Sequence, residues 1–199
     1  MTLRVGVCVS GRGTNLQAII DACRDGRLDA RVVYVGSSRK SAPALERAKA
    51  AGVPAEAFPP AANGGRDAAQ QLMARRLVAA DVELVVLAGY DRILGDAFWD
   101  VLGDGVPVIN IHPSLLPAFG GLNRLAVHEA VLAAGVSETG CTVHRAHRGM
   151  LDAGETIVQR RVPVLPGDDP ERLEARVLSE EHVAIVEAVA LFARSAARV

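Results

Sequence analysis

Asn110 and His112 stand two residues apart at the end of an apolar, strand-like run, VPVINIH, which stops in the proline-bounded turn PSLLP ending at Pro117. Residues two apart on a strand face the same side, so an amide and an imidazole can converge on one ligand atom. The pair suits an oxyanion forming from a carbonyl: the amide donates one hydrogen bond, and a protonated imidazole donates a second with charge. Read structurally, the same two residues would only cap the strand end. A catalytic histidine at neutral pH needs a carboxylate to orient it and favour its protonated form. Asp152, in GMLDAGETI between Gly149 and Gly154, is the candidate, although a loop aspartate also serves as a turn former. His144 in CTVHRA and His128 in AVHEAV read as packing or surface residues, and His147 has no assignable role.

A second candidate is VCVSGRGTNLQAII, where Gly11 and Gly13 separate a strand from a helix that starts at Thr14 and Asn15. Free N–H groups and the helix dipole at such a terminus favour a phosphate, and glycine lets the backbone approach it. The alternative is a tight turn with a helix cap. The dinucleotide pattern GxGxxG is broken at Gln17 and no Walker lysine is present, so one phosphate fits better than a dinucleotide. The run VELVVLAG leads into Tyr90–Leu94, YDRIL, at the edge where open α/β sheets bind ligands. Arg92 there, and Arg66 in GGRDAA, would otherwise be plain solvated arginines. Glu181, beside Glu180 and His182, lies on a helix whose charged run is most simply a solvated face.

The elements that must position these groups follow from periodicity. Short β-branched runs, LRVGVCVS, ARVVYVGSS, VELVVLAG and VPVINIH, alternate with helical patterns, which predicts right-handed βαβ units feeding one parallel sheet. The expected fold is α/β, a doubly wound, mostly parallel Rossmann-like sheet over residues 1 to about 112. TGCTVHRA and ETIVQRRVPV then add an antiparallel extension, and a long helix runs from about Pro170 to Ala193, with Asp168 or Asp169 as its cap. Pro59 to Gly65, PPAANGG, reads as a mobile loop.

At 199 residues the chain is expected to form one domain, 1–199, and its 50% hydrophobic and 4% aromatic residues suit a helix-covered sheet. The net charge of -1, from 22 basic and 23 acidic residues spread along the chain, argues against nucleic acid as a partner. Three cysteines without a CxxC pair, and no long apolar run, point to a cytoplasmic protein that does not engage a membrane. No His/Cys/Asp spacing resembles a metal site.

Together VSGRGTNLQAII, VVLAGYDRIL, INIHPSLLP, TGCTVH, LDAGETI and EARVLSEEH resemble the phosphoribosylglycinamide formyltransferases, folate-dependent enzymes of purine synthesis. The resemblance runs in order over nearly the whole chain. It implies transfer of a formyl group from the co-substrate 10-formyltetrahydrofolate to the amine of glycinamide ribonucleotide, by a monomer or homodimer without metal. It assigns Asn110, His112 and Asp152 as catalytic, Gly13, Thr14 and Asn15 to the nucleotide phosphate, and Glu181 to the ribose. Arg66, Asp91, Arg92, Ile93, Leu94 and Leu151, with Asn110 and Asp152, would line the folate pocket. By the same resemblance residues 1–112 form the nucleotide-binding half, 113–199 the folate-site and C-terminal half, and Leu116–Pro117 a cis peptide.

Three departures stand out: one extra residue between His144 and Asp152, with Arg148 and Gly149 replacing an acidic pair; a longer loop after Pro117; and Leu178 at a position where glutamine often meets the nucleotide. The alternatives are a formyltetrahydrofolate hydrolase, a sugar-amine formyltransferase, or a catalytically silent folate- or nucleotide-binding protein. The phosphate loop argues against the hydrolase, in which free water is the nucleophile.

Overall fold

The computed structural model describes residues 2–122 and 125–196. Five parallel strands, β1 (Leu3–Val9), β2 (Ala30–Ser37), β3 (Ala55–Ala57), β4 (Leu84–Leu87) and β5 (Val108–His112), are joined by helices. These are α1 (Thr14–Arg24), α2 (Ala44–Ala50), α3 (Arg66–Ala79) and α4 (Asp96–Leu102). After α5 (Leu125–Ala133) come β6 (Glu138–Arg145) and β7 (Thr156–Pro163), and α6 (Pro170–Ala196) closes the described chain. The strand order is β3-β2-β1-β4-β5-β6-β7, with β6 antiparallel to both β5 and β7. The doubly wound sheet and its antiparallel extension are therefore as expected. The short edge strand β3 and the helix α4 carry too little periodicity to have been expected. Pro59–Gly65, read as a mobile loop, contains a 3-10 turn at Pro60–Ala62, and the Asn63 side-chain amide donates to the Pro59 carbonyl at 2.9 Å.

Two cores flank the sheet. Leu16, Ile19, Val127, Leu173 and Ile185, from α1, α5 and α6, cover one face together with Ile109 and Ile111 of β5. Met73, Leu77, Phe98 and Leu102, from α3 and α4, cover the other together with Val108. β4 is buried along its length, as a central parallel strand covered on both faces must be. Period-two alternation in β5 thus puts Ile109 and Ile111 into one core and leaves Asn110 and His112 on the opposite face, past Val108, where the strand runs out. Among the described residues no helix is long and apolar enough to cross a membrane.

Asp169 caps α6, accepting the Arg172 N–H at 2.8 Å, whereas Asp168 pairs with Arg176 at 2.7 and 2.9 Å and accepts the Leu165 N–H. The Arg176 guanidinium holds the Asp168 carboxyl down, from 3.8 to about 2. A folded-state value below the unfolded one contributes stability that is full above 3.8 and is lost as the pH falls through about 2. Arg176→Ala is therefore expected to move acid unfolding, followed by circular dichroism, to higher pH. An unchanged midpoint would mean that the pair does not hold the β7–α6 corner.

Candidate active site

The antiparallel register of β5 and β6 sets Asn110 opposite His144 and His112 opposite Thr142, so all four share one face of the sheet. Into this patch the loop after β6 delivers Asp152, whose backbone is in the left-handed region at φ 49 and whose side chain is 7% exposed. Gly154 is required for this turn, because a Cβ there would meet the Arg145 carbonyl oxygen at 1.8 Å. One Asp152 oxygen, Oδ2, lies 3.3 Å from His112 Nδ1 and accepts the Gly121 N–H at 2.9 Å. The other, Oδ1, accepts from Asn110 Nδ2 at 3.2 Å and lies 3.5 Å from His144 Nε2. The extra residue before Asp152 does not keep it from His112. Arg148, in the altered part of that loop, pairs instead with Asp100 of α4 at 2.6 Å.

His144 was expected to be a packing or surface residue; it is 2% exposed and belongs to the cluster. Its Nδ1 donates to the Arg145 carbonyl at 2.9 Å, and its Nε2 lies 3.1 Å from Asn110 Nδ2 and 3.5 Å from Asp152 Oδ1. Asn110 Nδ2 thus sits between His144 and Asp152 and donates to the carboxylate. The alternation in TGCTVH marks a strand, but only the register with β5 reveals its partner. His128, by contrast, is buried within α5 as a packing residue, and His147 pairs with Glu155 at 2.8 Å.

His112 is 4% exposed, and both ring nitrogens face acceptors: Asp152 at Nδ1 and the Phe119 carbonyl, 3.1 Å from Nε2. Burial lowers its proton affinity; Asp152 and the Phe119 carbonyl oppose this, and the net direction is below the ordinary 6.5. That direction, set first by desolvation, runs against the protonated form expected for this ring, whereas the acceptors at both nitrogens favour it. Burial pushes the Asp152 carboxyl up, but His144, the Gly121 N–H and His112 outweigh it, so that it lies below 3.8. The turn after His112 is braced by Thr142, which donates to the Ser114 carbonyl at 2.7 Å and accepts the Leu116 N–H at 3.0 Å. Leu116–Pro117 is cis, as the resemblance implies.

Across the sheet, Gly13 at φ 73 forms the N-cap of α1, and a Cβ there would lie 2.5 Å from that of Ala44, so only glycine lets α2 pack this closely. Thr14 opens the helix, and Asn15 Nδ2 donates to Glu181 Oε2 of α6 at 2.7 Å, with both side chains buried. Glu181 is therefore not on a solvated face. Burial raises its proton affinity, opposed by the Asn15 bond, and Asn15 Oδ1 is buried without a partner. The loop and the acid, 166 residues apart, thus form one buried polar pair with an acceptor to spare.

Asp91, expected at the folate pocket, also has a structural part. Its N–H is taken by Ser10 Oγ at 3.0 Å, and its carboxylate binds Ser38 and Arg39, tying together the ends of β1, β2 and β4. Arg92 is partly exposed, Ile93 is 59% exposed, and Leu94 is buried in the core against α3 and α4. The Arg66 guanidinium lies beside Gly95, at the end of this stretch. Leu151, 53% exposed, lies beside Gly121, next to Asp152.

Comparison with known proteins places this geometry among relatives. The formyl transferase family model matches residues 3–189. The trifunctional purine biosynthetic protein adenosine-3 of Drosophila pseudoobscura pseudoobscura is 44% identical over 197 residues, 98% of this chain, but the chain spans only 14% of that relative's length. The phosphoribosylglycinamide formyltransferase of Escherichia coli (strain K12) is 38% identical over 180 residues, covering 90% of this chain and 82% of that protein. The crystal structure of glycinamide ribonucleotide transformylase 1 from Symbiobacterium toebii superposes with a TM-score of 0.90 at 47% identity, covering 98% of this chain and 89% of that one.

Proposed function

The chain belongs to the formyl transferase family, and from that premise we propose that it transfers the formyl group of 10-formyltetrahydrofolate to the amine of phosphoribosylglycinamide, a step of purine biosynthesis. The observation that carries the proposal is the convergence of Asn110, His112 and His144 on Asp152, with the Asn15–Glu181 pair on the same carboxyl edge of the sheet. The neutral amine attacks the formyl carbon, a C–N bond forms, and the carbonyl oxygen becomes an oxyanion. That oxyanion takes an Asn110 N–H from its internal partners and replaces the Phe119 carbonyl on His112 Nε2. Its negative charge, added to that of Asp152, favours the imidazolium that burial disfavours. The amine's proton passes, through Asp152 or a water it holds, to the folate N10 as the bond from that nitrogen to the formyl carbon breaks. The chain's own donors supply the stabilisation.

Gly13, Thr14 and Asn15 hold the phosphate and Glu181 the ribose. Arg66, the stretch Asp91–Leu94, largely through its backbone, and Leu151 border the folate. The nucleotide side draws on both halves of the chain, since Glu181 lies in the C-terminal half. The setting is cytoplasmic and the assembly a monomer or homodimer. Mixing the protein with both substrates and following tetrahydrofolate and formylated nucleotide tests the assignment. Equal release of both supports it, and tetrahydrofolate release that is independent of the nucleotide would identify a hydrolase instead.

Asn15→Ala should raise the nucleotide KM by about 10–100-fold with little change in kcat, because it removes a bond to a buried carboxylate and leaves that carboxylate unpaired. Glu181→Gln should act on the same step, and the double variant should fall short of the product of the two effects. A pure kcat defect in Asn15→Ala would refute the nucleotide assignment.

A further inference from the structure

Gln70, on α3, is 2% exposed and stands among apolar side chains, so its amide needs partners within the protein. It finds both in one segment: Nε2 donates to the Ile93 carbonyl at 2.9 Å, and Oε1 accepts the Gly95 N–H at 2.8 Å. In extended backbone, the C=O of one residue and the N–H two residues on point to the same side, and the residue between them points its own groups to the other. A side-chain amide that takes both is a substitute strand partner. Gly95 is in extended backbone, at φ -87 and ψ 172, and among the described residues no strand of the sheet pairs with this segment. Among the described residues no hydrogen bond is formed by the Leu94 N–H or C=O.

We infer that Gln70 is a positioning residue for the folate: it fixes the Ile93–Gly95 backbone so that the Leu94 N–H and C=O face away from α3, as a paired donor and acceptor for the pterin ring. The inference rests on the proposed formyl-folate activity. Gln70 touches no reacting atom; it acts through the backbone it grips, 23 and 25 residues further along the chain. A pterin edge presents donors and acceptors side by side, and such an edge is read well only by a partner whose own groups are held at fixed spacing. Without the amide, the segment would lose the only side-chain hydrogen bonds that α3 gives it among the described residues, and the pterin would have to order it on binding.

The test compares wild type, Gln70→Leu and Gln70→Glu in steady-state formyl transfer and in calorimetric titration with tetrahydrofolate. Gln70→Leu removes both bonds and should raise the 10-formyltetrahydrofolate KM and the tetrahydrofolate Kd at least about tenfold, with the nucleotide KM within about twofold. Gln70→Glu keeps the acceptor for Gly95 but loses the donor to Ile93, and should fall between the two. It also keeps the experiment decisive if the leucine variant does not fold. A purely structural role would lower the melting temperature and either move both KM values together or move neither, and any of these patterns overturns the inference. Wild-type protein that binds no tetrahydrofolate would overturn the activity itself, whereas normal wild-type binding with unshifted variants overturns Gln70 alone.

Discussion

His112→Ala is expected to reduce single-turnover formyl transfer by about 10²–10³-fold while tetrahydrofolate still binds, because it removes one of the two donors that the proposed mechanism gives the developing oxyanion. The ring is held from both sides, by Asp152 at Nδ1 and by the Phe119 carbonyl at Nε2, so its position is set before substrate arrives. A ring fixed in advance has only to exchange the Phe119 carbonyl for the oxyanion as charge develops, so its loss should fall on turnover rather than on ground-state binding. Asn110→Ala should lose turnover to a similar degree, and the two losses should be less than multiplicative, since both residues lean on one carboxylate. Undiminished transfer in the His112 variant would remove the oxyanion assignment.

A second large loss, about 10²–10⁴-fold in kcat, is expected for Asp152→Asn. The carboxylate accepts from Asn110 and the Gly121 N–H and faces both His112 and His144. An amide in its place turns one acceptor into a donor, so at least one of these contacts becomes donor against donor. Without the negative charge, His112 has only the Phe119 carbonyl to oppose burial, and its proton affinity drops further from 6.5. A separate readout comes from stability. Asp152 titrates below its ordinary 3.8 in the folded protein, so its contribution is present above 3.8 and is lost as the solution is acidified below it. The Asn variant lacks that titration, and its stability should fall less steeply with acid over the same range. Wild-type turnover in Asp152→Asn would show that the carboxylate serves only the loop.

The parts of the site that depend on local order were legible. Period two in VINIH placed Asn110 and His112 on one face, and a glycine-flanked aspartate in the loop between the two later strands singled out Asp152. The strand-helix rhythm of the first half required a parallel sheet, and open α/β sheets bind ligands at the carboxyl edge. Family motifs supplied the formyl group and the folate, which no periodicity carries.

Other features had no local signal. His144 looked like any alternating strand residue until the β5–β6 register set it opposite Asn110. Gln70 looked like one polar residue in a helix, and its grip on Ile93 and Gly95 exists only because α3 packs beside that segment. Asn15 and Glu181 meet across the α1–α6 contact, and the burial that lowers the proton affinity of His112 exists only in the assembled pocket. Backbone periodicity and turn chemistry are properties of neighbouring residues, so the sequence by itself determined the strands, the helices and the face each residue shows. Register, helix packing and burial are relations between distant segments; the tertiary structure alone decided which of those faces met and which protons they could keep.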